Sequence, residues 1–132
     1  MDLTVAATIS RARAGTPARD LETDRLEFKQ EDRDVRRTLE LVADAVICLA
    51  NNEGGHVILG VPDRLDADLA SWGVRAAITV VVLRRGVFDR TRPPLSVPVE
   101  EAQEAGMRFL CVTVPKGATF YANAAGTATR RL

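Results

Sequence analysis

The chain has 132 residues, the length of a single domain, since domains commonly span about 100–200 residues. Hydrophobic residues make up 46% and charged residues 27%, values that are typical of a folded globular protein and exclude a disordered tail. The 18 basic and 18 acidic residues give a formal net charge of zero, which argues against a protein that binds nucleic acid by bulk charge alone. Any nucleic-acid surface must therefore be local.

Other features of the sequence argue against a zinc protein, a membrane protein and a secreted protein. Cys48 and Cys111 lie in the apolar runs AVICLA and FLCVTV, which predicts buried core thiols, and a single histidine cannot complete a zinc site with them. No apolar run approaches the ~20 residues of a membrane span, and the first arginines follow the apolar segment, the reverse of a secretory signal. We therefore expect a cytoplasmic protein. The abrupt end at ATRRL suggests a domain cut from a longer chain.

Two elements are predicted in the first 30 residues. Residues 1–20 indicate a short amphipathic helix that ends in the breaker stretch from Ala14 to Pro17. In ETDRLEFKQ, Leu26 and Phe28 alternate with Glu27 and Lys29, and this period of two predicts a half-buried strand. The acid and the lysine are expected on one face of that strand.

The next segment changes to a helical period. Apolar residues recur at three- and four-residue steps over about sixteen residues, at Val35, Leu39, Val42, Val46 and Leu49. Asp32 or Asp34 can cap the start of this helix. Its end is predicted in the segment from Asn51 to Gly55, which follows a helix and precedes a strand and therefore favours a helix C-cap over a phosphate loop. The run HVILGV predicts a strand covered on both faces.

The second half is less regular. Residues 62–76 predict a connecting loop anchored by Trp72. Residues 79–91 combine strand propensity with a helical stripe of Ile78, Val81, Val82 and Phe88, and we favour a helix that ends before Pro93. LSVPVEE and RFLCVTVP predict a hairpin with its glycine at the bend, and FYANAAGTATRRL predicts a last short strand or hairpin. The order of elements predicts an α+β or α/β fold with a mixed β-sheet and two to three helices.

Five blocks of the sequence, in this order, resemble the Schlafen-type AlbA-like domain family: ETDRLEFK, LANNEGGHVILGVPD, RPPLSVPV, FLCVTVPKG and GTATRRL. This family is described as DNA-binding in bacteria and forms the nuclease core of animal Schlafens. The resemblance implies a Schlafen AlbA-like domain over residues 20–132, preceded by an N-terminal helix and linker over residues 1–19. The sequence departs from the family pattern at residues 47–50 and in the loop after Asp63. It also ends before the glycine that normally follows the last arginine of the pattern.

By analogy with Schlafens, the resemblance implies that Glu22, Glu27 and Asp63 hold a divalent metal and assist phosphodiester cleavage. Hard carboxylate oxygens suit Mg²⁺ or Mn²⁺, which neutralise charge on phosphate and activate water. A separation of five places Glu22 and Glu27 on opposite faces of a single strand, so Glu22 must lie in a turn before the strand for the two to converge. The residues alone also allow Glu27 and Lys29 to form no more than a solvated ion pair.

Basic residues supply candidate phosphate contacts. The candidates are Lys29, Arg84, Arg85, Arg90, Arg92, Arg130 and Arg131. Guanidinium groups in such clusters give salt-dependent binding that is largely blind to sequence, although a charge run is more commonly a solvated helix face. We expect Lys29 to bind a backbone phosphate rather than to stabilise a reacting oxygen. His56, at the start of the central strand, is expected to be a satisfied strand residue and is assigned no role.

The function expected from the resemblance is a nucleic-acid-binding domain of a bacterial regulatory or defence-type protein. The alternative is a divalent-metal-dependent ribonuclease that uses the three carboxylates, and a third possibility is a protein-interaction or dimerisation module. In animal Schlafens two such lobes surround RNA, which implies that a single lobe forms a homodimer to build a comparable groove.

Overall fold

The fold is described from a computed structural model of the chain over residues 3–15, 22–23, 25–62, 71–104 and 106–126. Its helices are α1 (Leu3–Arg13), α2 (Val35–Ala50) and α3 (Val80–Arg90). Its strands are β1 (Leu26–Lys29), β2 (Gly55–Leu59), β3 (Thr91–Arg92), β4 (Val99–Glu104), β5 (Met107–Val114) and β6 (Ala122–Asn123). No helix in these ranges is both long and apolar enough to cross a membrane.

The main sheet has the strand order β1-β2-β5-β4, and β3 and β6 form a separate two-stranded sheet. β1 runs parallel to β2, whereas β5 is antiparallel to both β2 and β4. The parallel pair is joined by α2, as a parallel connection requires a crossover. A mixed sheet packed with the three helices of the described residues confirms the predicted α+β class.

Both faces of the main sheet are covered. Phe28 and Ile58 lie in a core cluster with Ile9 of α1 and with Phe109. On the opposite face Val57 and residues of α2 and α3 form the larger core. Because successive strand residues point to opposite faces, Glu27 must share the α2 face with its register partner Val57. Val57, Ile58 and Leu59 are fully buried, which confirms that this strand is covered on both sides.

Trp72 anchors the loop that precedes α3, as predicted. Its side chain is buried in the cluster beneath α1, and the Arg13 guanidinium lies 4.6 Å from the centre of its ring. A cation over an indole face is favourable, and here it links the end of α1 to the loop. Ile9 is fully buried in the same cluster, so α1 is part of the core.

Helix α2 begins and ends at the predicted residues. The Asp34 carboxylate accepts a hydrogen bond from the Arg36 backbone N–H, as an N-cap residue does. At the other end, the Gly54 N–H donates to the Leu49 carbonyl at 2.7 Å, and Gly54 has a φ of +77°. This confirms a helix C-cap, with glycine in the left-handed conformation that it tolerates best.

Residues 80–90 form a helix, as favoured, but the predicted apolar stripe was only half right, because Ile78 is buried and Val82 packs against the core while the other two residues are exposed. Val81 is 72% and Phe88 is 43% exposed, whereas Leu83 and Val87 are fully buried. The reason is Gly86, at which a Cβ atom would lie only 2.7 Å from Leu39 of α2. The missing side chain allows α2 and α3 to approach closely, and α3 therefore turns its Leu83 and Val87 side inward.

The C-terminal half follows the prediction. β4 and β5 form a hairpin, and Gly106 at its bend has a φ of +76°. The predicted last strand is β6, which pairs with β3. The prediction for the cysteines was half right, because Cys111 is buried while Cys48 is only partly buried, and neither forms a disulfide.

Candidate carboxylate site and nucleic-acid interface

Glu22 is folded back onto β1 by a tight turn. Thr23 and Leu26 exchange two backbone hydrogen bonds, from the Thr23 N–H to the Leu26 carbonyl (3.2 Å) and from the Leu26 N–H to the Thr23 carbonyl (3.3 Å). Residues on either side of such an antiparallel pair face each other, and their side chains share one side. This register places Glu22 opposite Glu27. The two acids can converge only if Glu22 lies in a turn before the strand, and Glu22 occupies such a position.

The Glu22 carboxylate also has a structural partner. Its Oε2 accepts a hydrogen bond from the Phe28 backbone N–H at 3.3 Å. β1 is an edge strand, so this N–H has no neighbouring strand to bond. The carboxylate satisfies a donor that would otherwise be left unpaired at the sheet edge. A carboxylate has further lone pairs, so this bond leaves it able to contact a cation as well.

Glu27 and Lys29 form an ion pair on the α2 face of the sheet. The Lys29 Nζ lies 3.3 Å from the Glu27 Oε1, and the two side chains are 30% and 15% exposed, respectively. Asp44 of α2 lies within electrostatic range of Lys29. The pKa of Asp44 is raised, mainly because burial disfavours its charged form. The positive charges of Arg37 and Lys29 oppose this increase, and the negative charge of Glu40 adds to it. The lysine therefore acts on two carboxylates.

Sequence reasoning missed Asp44 as a member of this neighbourhood. The available signal was a carboxylate that interrupts the apolar run of α2 four residues after Glu40. The third carboxylate that the resemblance implied, Asp63, lies outside the described residues. Within the described ranges, no three His, Cys, Asp or Glu side chains are grouped so that they could hold a metal ion. The geometry thus joins Glu27 to Lys29 and places Glu22 at the backbone position paired with Glu27, and it leaves the three-carboxylate site a prediction.

The candidate arginines divide into two groups. Arg84 and Arg85 are exposed on α3, and Arg85 forms an ion pair with Asp89 at 3.3 Å in which the two side chains are 77% and 51% exposed. Arg90 and Arg92 donate instead to backbone carbonyls of Gly86 and Asp89 near the C-terminal end of α3. The latter two satisfy helix-end acceptors. Arg130 and Arg131 lie outside the described residues.

An exposed ion pair of this kind stabilises the fold by under about 1 kcal/mol. Asp89 therefore competes only weakly with an anionic partner for Arg85. Arg84 and Arg85 therefore form the accessible part of the predicted cluster. We call these two residues the α3 arginine pair.

A further polar surface, which sequence reasoning missed, lies where β2 begins. It is an open groove of about 510 Å³, which we call the β2-entry groove. Its polar lining consists of Arg25, Glu53, His56, Thr113 and Lys116. Its residues come from three separate segments of the chain. No local motif connects these segments, so only strand pairing reveals the groove.

Comparison with known proteins places these features in a family. The sequence pattern of the family described as Schlafen, AlbA_2 matches residues 22–131, and the chain belongs to this family. None of the curated proteins compared with the chain matches it significantly.

Two solved structures share the fold. A crystal structure of a protein from Corynebacterium diphtheriae matches with a TM-score of 0.67 at 18% identity, and the match covers 98% of this chain and 28% of that one. A solution structure from Nitrosomonas europaea, the N-terminal domain of a protein described as related to the ATP-dependent DNA helicase RecG, matches with a TM-score of 0.57 at 18% identity. That match covers 100% of this chain and 90% of the other. The chain thus spans just over a quarter of the Corynebacterium protein.

Proposed function

We propose that this domain binds nucleic acid through phosphate contacts made by the α3 arginine pair and Lys29. The observation that carries the proposal is the exposure of Arg84 and Arg85 side by side on α3, with Asp89 as the acid paired to Arg85. Membership of the Schlafen AlbA_2 family supports it, as does the fold shared with a domain of a RecG-related protein. Because the net charge is zero, binding depends on such local clusters.

The test is a mobility-shift assay with labelled tRNA, single-stranded DNA and duplex DNA in EDTA at several salt concentrations. We expect the wild-type domain to bind and its affinity to fall as salt rises, because phosphate contacts release counterions. The double variant Arg84→Gln/Arg85→Gln should bind about tenfold more weakly and reduce the salt slope by about one to two. A double variant with the same charge change elsewhere, Arg11→Gln/Arg36→Gln, serves as the control. Equal affinity of the two variants would contradict this assignment.

A second candidate function, a divalent-metal-dependent ribonuclease, is favoured by the turn that brings Glu22 opposite Glu27, with Lys29 at 3.3 Å from Glu27. Carboxylates at these two paired positions would supply oxygen ligands that suit Mg²⁺ or Mn²⁺, and Asp63 would be the third ligand. Such a metal would polarise the phosphate and activate a water. Glu22 and Glu27 would hold it, while Lys29 would orient the phosphate.

Cleavage of labelled tRNA in Mn²⁺, compared with EDTA, separates the two functions. The ribonuclease function predicts cleavage that requires metal and falls at least a hundredfold in Glu27→Ala, while Glu100→Ala, on the other face of the sheet, retains it. Salt-dependent shifts without cleavage would leave nucleic-acid binding alone. If neither binding nor cleavage occurred, the remaining explanation would be an interaction module.

We also propose that the domain works as a homodimer, because two such lobes would enclose a strand that one lobe contacts on one side only. Light scattering of the purified domain at working concentration is expected to give the mass of two copies, about twice 14.3 kDa. A monomeric mass, both alone and with bound nucleic acid, would refute the dimer.

A further inference from the structure

The β2-entry groove depends on two glycines that hold three segments of backbone together. A Cβ atom at Gly55, whose φ is +142°, would lie 2.0 Å from the Arg25 carbonyl oxygen. One at Gly54 would lie 2.5 Å from the Val114 oxygen and 2.7 Å from the Lys116 nitrogen. Only glycine permits this approach. The glycine pair therefore brings Arg25 and Lys116 to the start of β2.

Side chains around the groove are oriented by specific contacts. The His56 Nδ1 lies 3.4 Å from the Thr113 Oγ1 and 3.9 Å from the Cys111 Sγ, while the His56 backbone N–H donates to the Arg25 carbonyl. With Nδ1 directed at these partners, Nε2 is the ring nitrogen that remains to contact a molecule in the groove. His56 thus has the partners predicted for a satisfied strand residue, and it also lines the groove.

Charge in the groove favours an anion. Among the described residues that line it, the charged side chains are two cations, Arg25 and Lys116, and one acid, Glu53. The Arg25 Nη2 donates to the Glu53 backbone carbonyl at 3.3 Å, and the Lys116 Nζ lies 3.7 Å from the Glu53 Oε1 in a pair whose side chains are 65% and 58% exposed. Such an exposed ion pair is weak, so an anion of higher charge density can replace Glu53 as the partner of Lys116.

We infer that the β2-entry groove binds a backbone phosphate of a nucleic-acid strand, an inference that rests on the proposed function and assigns it a second contact surface. Guanidinium, ammonium, imidazole and hydroxyl groups are all donors that suit phosphate oxygens. Among the described residues that line the groove, His56 is the one aromatic side chain, so the groove fits the backbone rather than a stack of bases. Its volume of about 510 Å³ leaves room for the sugar that accompanies the phosphate.

A strand fits the surroundings better than a free phosphate. Arg25 directly precedes β1, and Lys29 is its last residue. At a rise of roughly 3.3 Å per residue, these two basic residues lie about 13 Å apart along the strand. A free phosphate contacts one of these positions only. A nucleic-acid backbone that follows the edge of β1 contacts both, so the groove and Lys29 bind successive parts of one strand.

The experiment measures the binding of labelled tRNA and single-stranded DNA by anisotropy over a range of salt concentrations. Arg25→Gln/Lys116→Gln should bind at least tenfold more weakly than the wild type and lose about two from the salt slope. His56→Gln should weaken binding by a smaller factor, whereas the control Arg11→Gln/Arg36→Gln should retain more of the affinity than the groove variant. Circular dichroism and the urea midpoint of each variant verify that the fold is kept.

Three outcomes would overturn the inference, and they can be told apart. If the wild type binds and the groove variant matches it in affinity and salt slope, the strand binds elsewhere and the proposed function stands. If the wild type binds neither nucleic acid, the proposed function fails as well. If the groove variant keeps the tRNA affinity of the wild type but no longer binds inorganic phosphate that the wild type binds, the groove is a site for free phosphate instead.

Discussion

Replacing Gly55 by alanine is expected to destabilise the domain by about 3 kcal/mol or more, a large loss for one methyl group. The new Cβ would lie 2.0 Å from the Arg25 carbonyl oxygen, and a φ of +142° is strained for any residue with a side chain. The clashing atom belongs to the backbone, so no flexible side chain can move aside. β2 would have to separate from the turn that leads into β1.

Urea denaturation followed by circular dichroism measures this loss. Gly106→Ala is the matched control, because Gly106 also has a positive φ (+76°) but nothing lies within 4 Å of its added Cβ. The control should lose only the conformational strain, about 1 kcal/mol. Equal losses in the two variants would show that the close approach to Arg25 is unimportant for stability.

The second large effect is expected at Arg108, whose side chain ties the segment before α3 to the sheet. Its Nη1 donates to the Arg75 carbonyl at 2.9 Å, its Nη2 donates to the Ile78 carbonyl at 2.6 Å, and its Nε pairs with Glu101. The side chain is only 19% exposed. Arg108→Met keeps much of the packing but removes these bonds, so we expect a loss of about 3 kcal/mol.

Two measurements separate this connection from a general packing defect. The free energy of unfolding of Glu101→Gln, which removes the charged partner but keeps the bonds to the carbonyls, should fall by under about 1 kcal/mol. Hydrogen exchange in Arg108→Met should speed up first at Val74 and Ile78, whose N–H groups bond within this region. Uniformly faster exchange across the sheet would argue against a local role.

Much of the fold could be predicted from the sequence because it depends on local periodicity. The alternation of Leu26 to Lys29 predicted β1 and its two faces, and the apolar residues of α2 recur at steps that only a helix brings to one side. The resemblance across five blocks supplied the family, which the match over residues 22–131 confirms.

The candidate site was predicted less completely. Spacing alone placed Glu22 and Glu27 on opposite faces, and only the turn that pairs Thr23 with Leu26 places them opposite each other. The buried side of α3 was assigned correctly at Ile78 and Val82 but wrongly at Val81 and Phe88, because two helical stripes were compatible with the apolar residues. Gly86, which has no side chain to signal its role, decided between them by its contact with Leu39.

By itself, the sequence determined where helices and strands form, since each pattern reflects the burial of residues a few positions apart. The tertiary structure alone decided which distant residues share a surface. Arg25, His56 and Lys116 are separated by dozens of residues, and they meet because β1 and β5 pair with opposite edges of β2 in one register. Periodicity carries no information about strand order or register, so a site assembled across strands appears only when the sheet is formed.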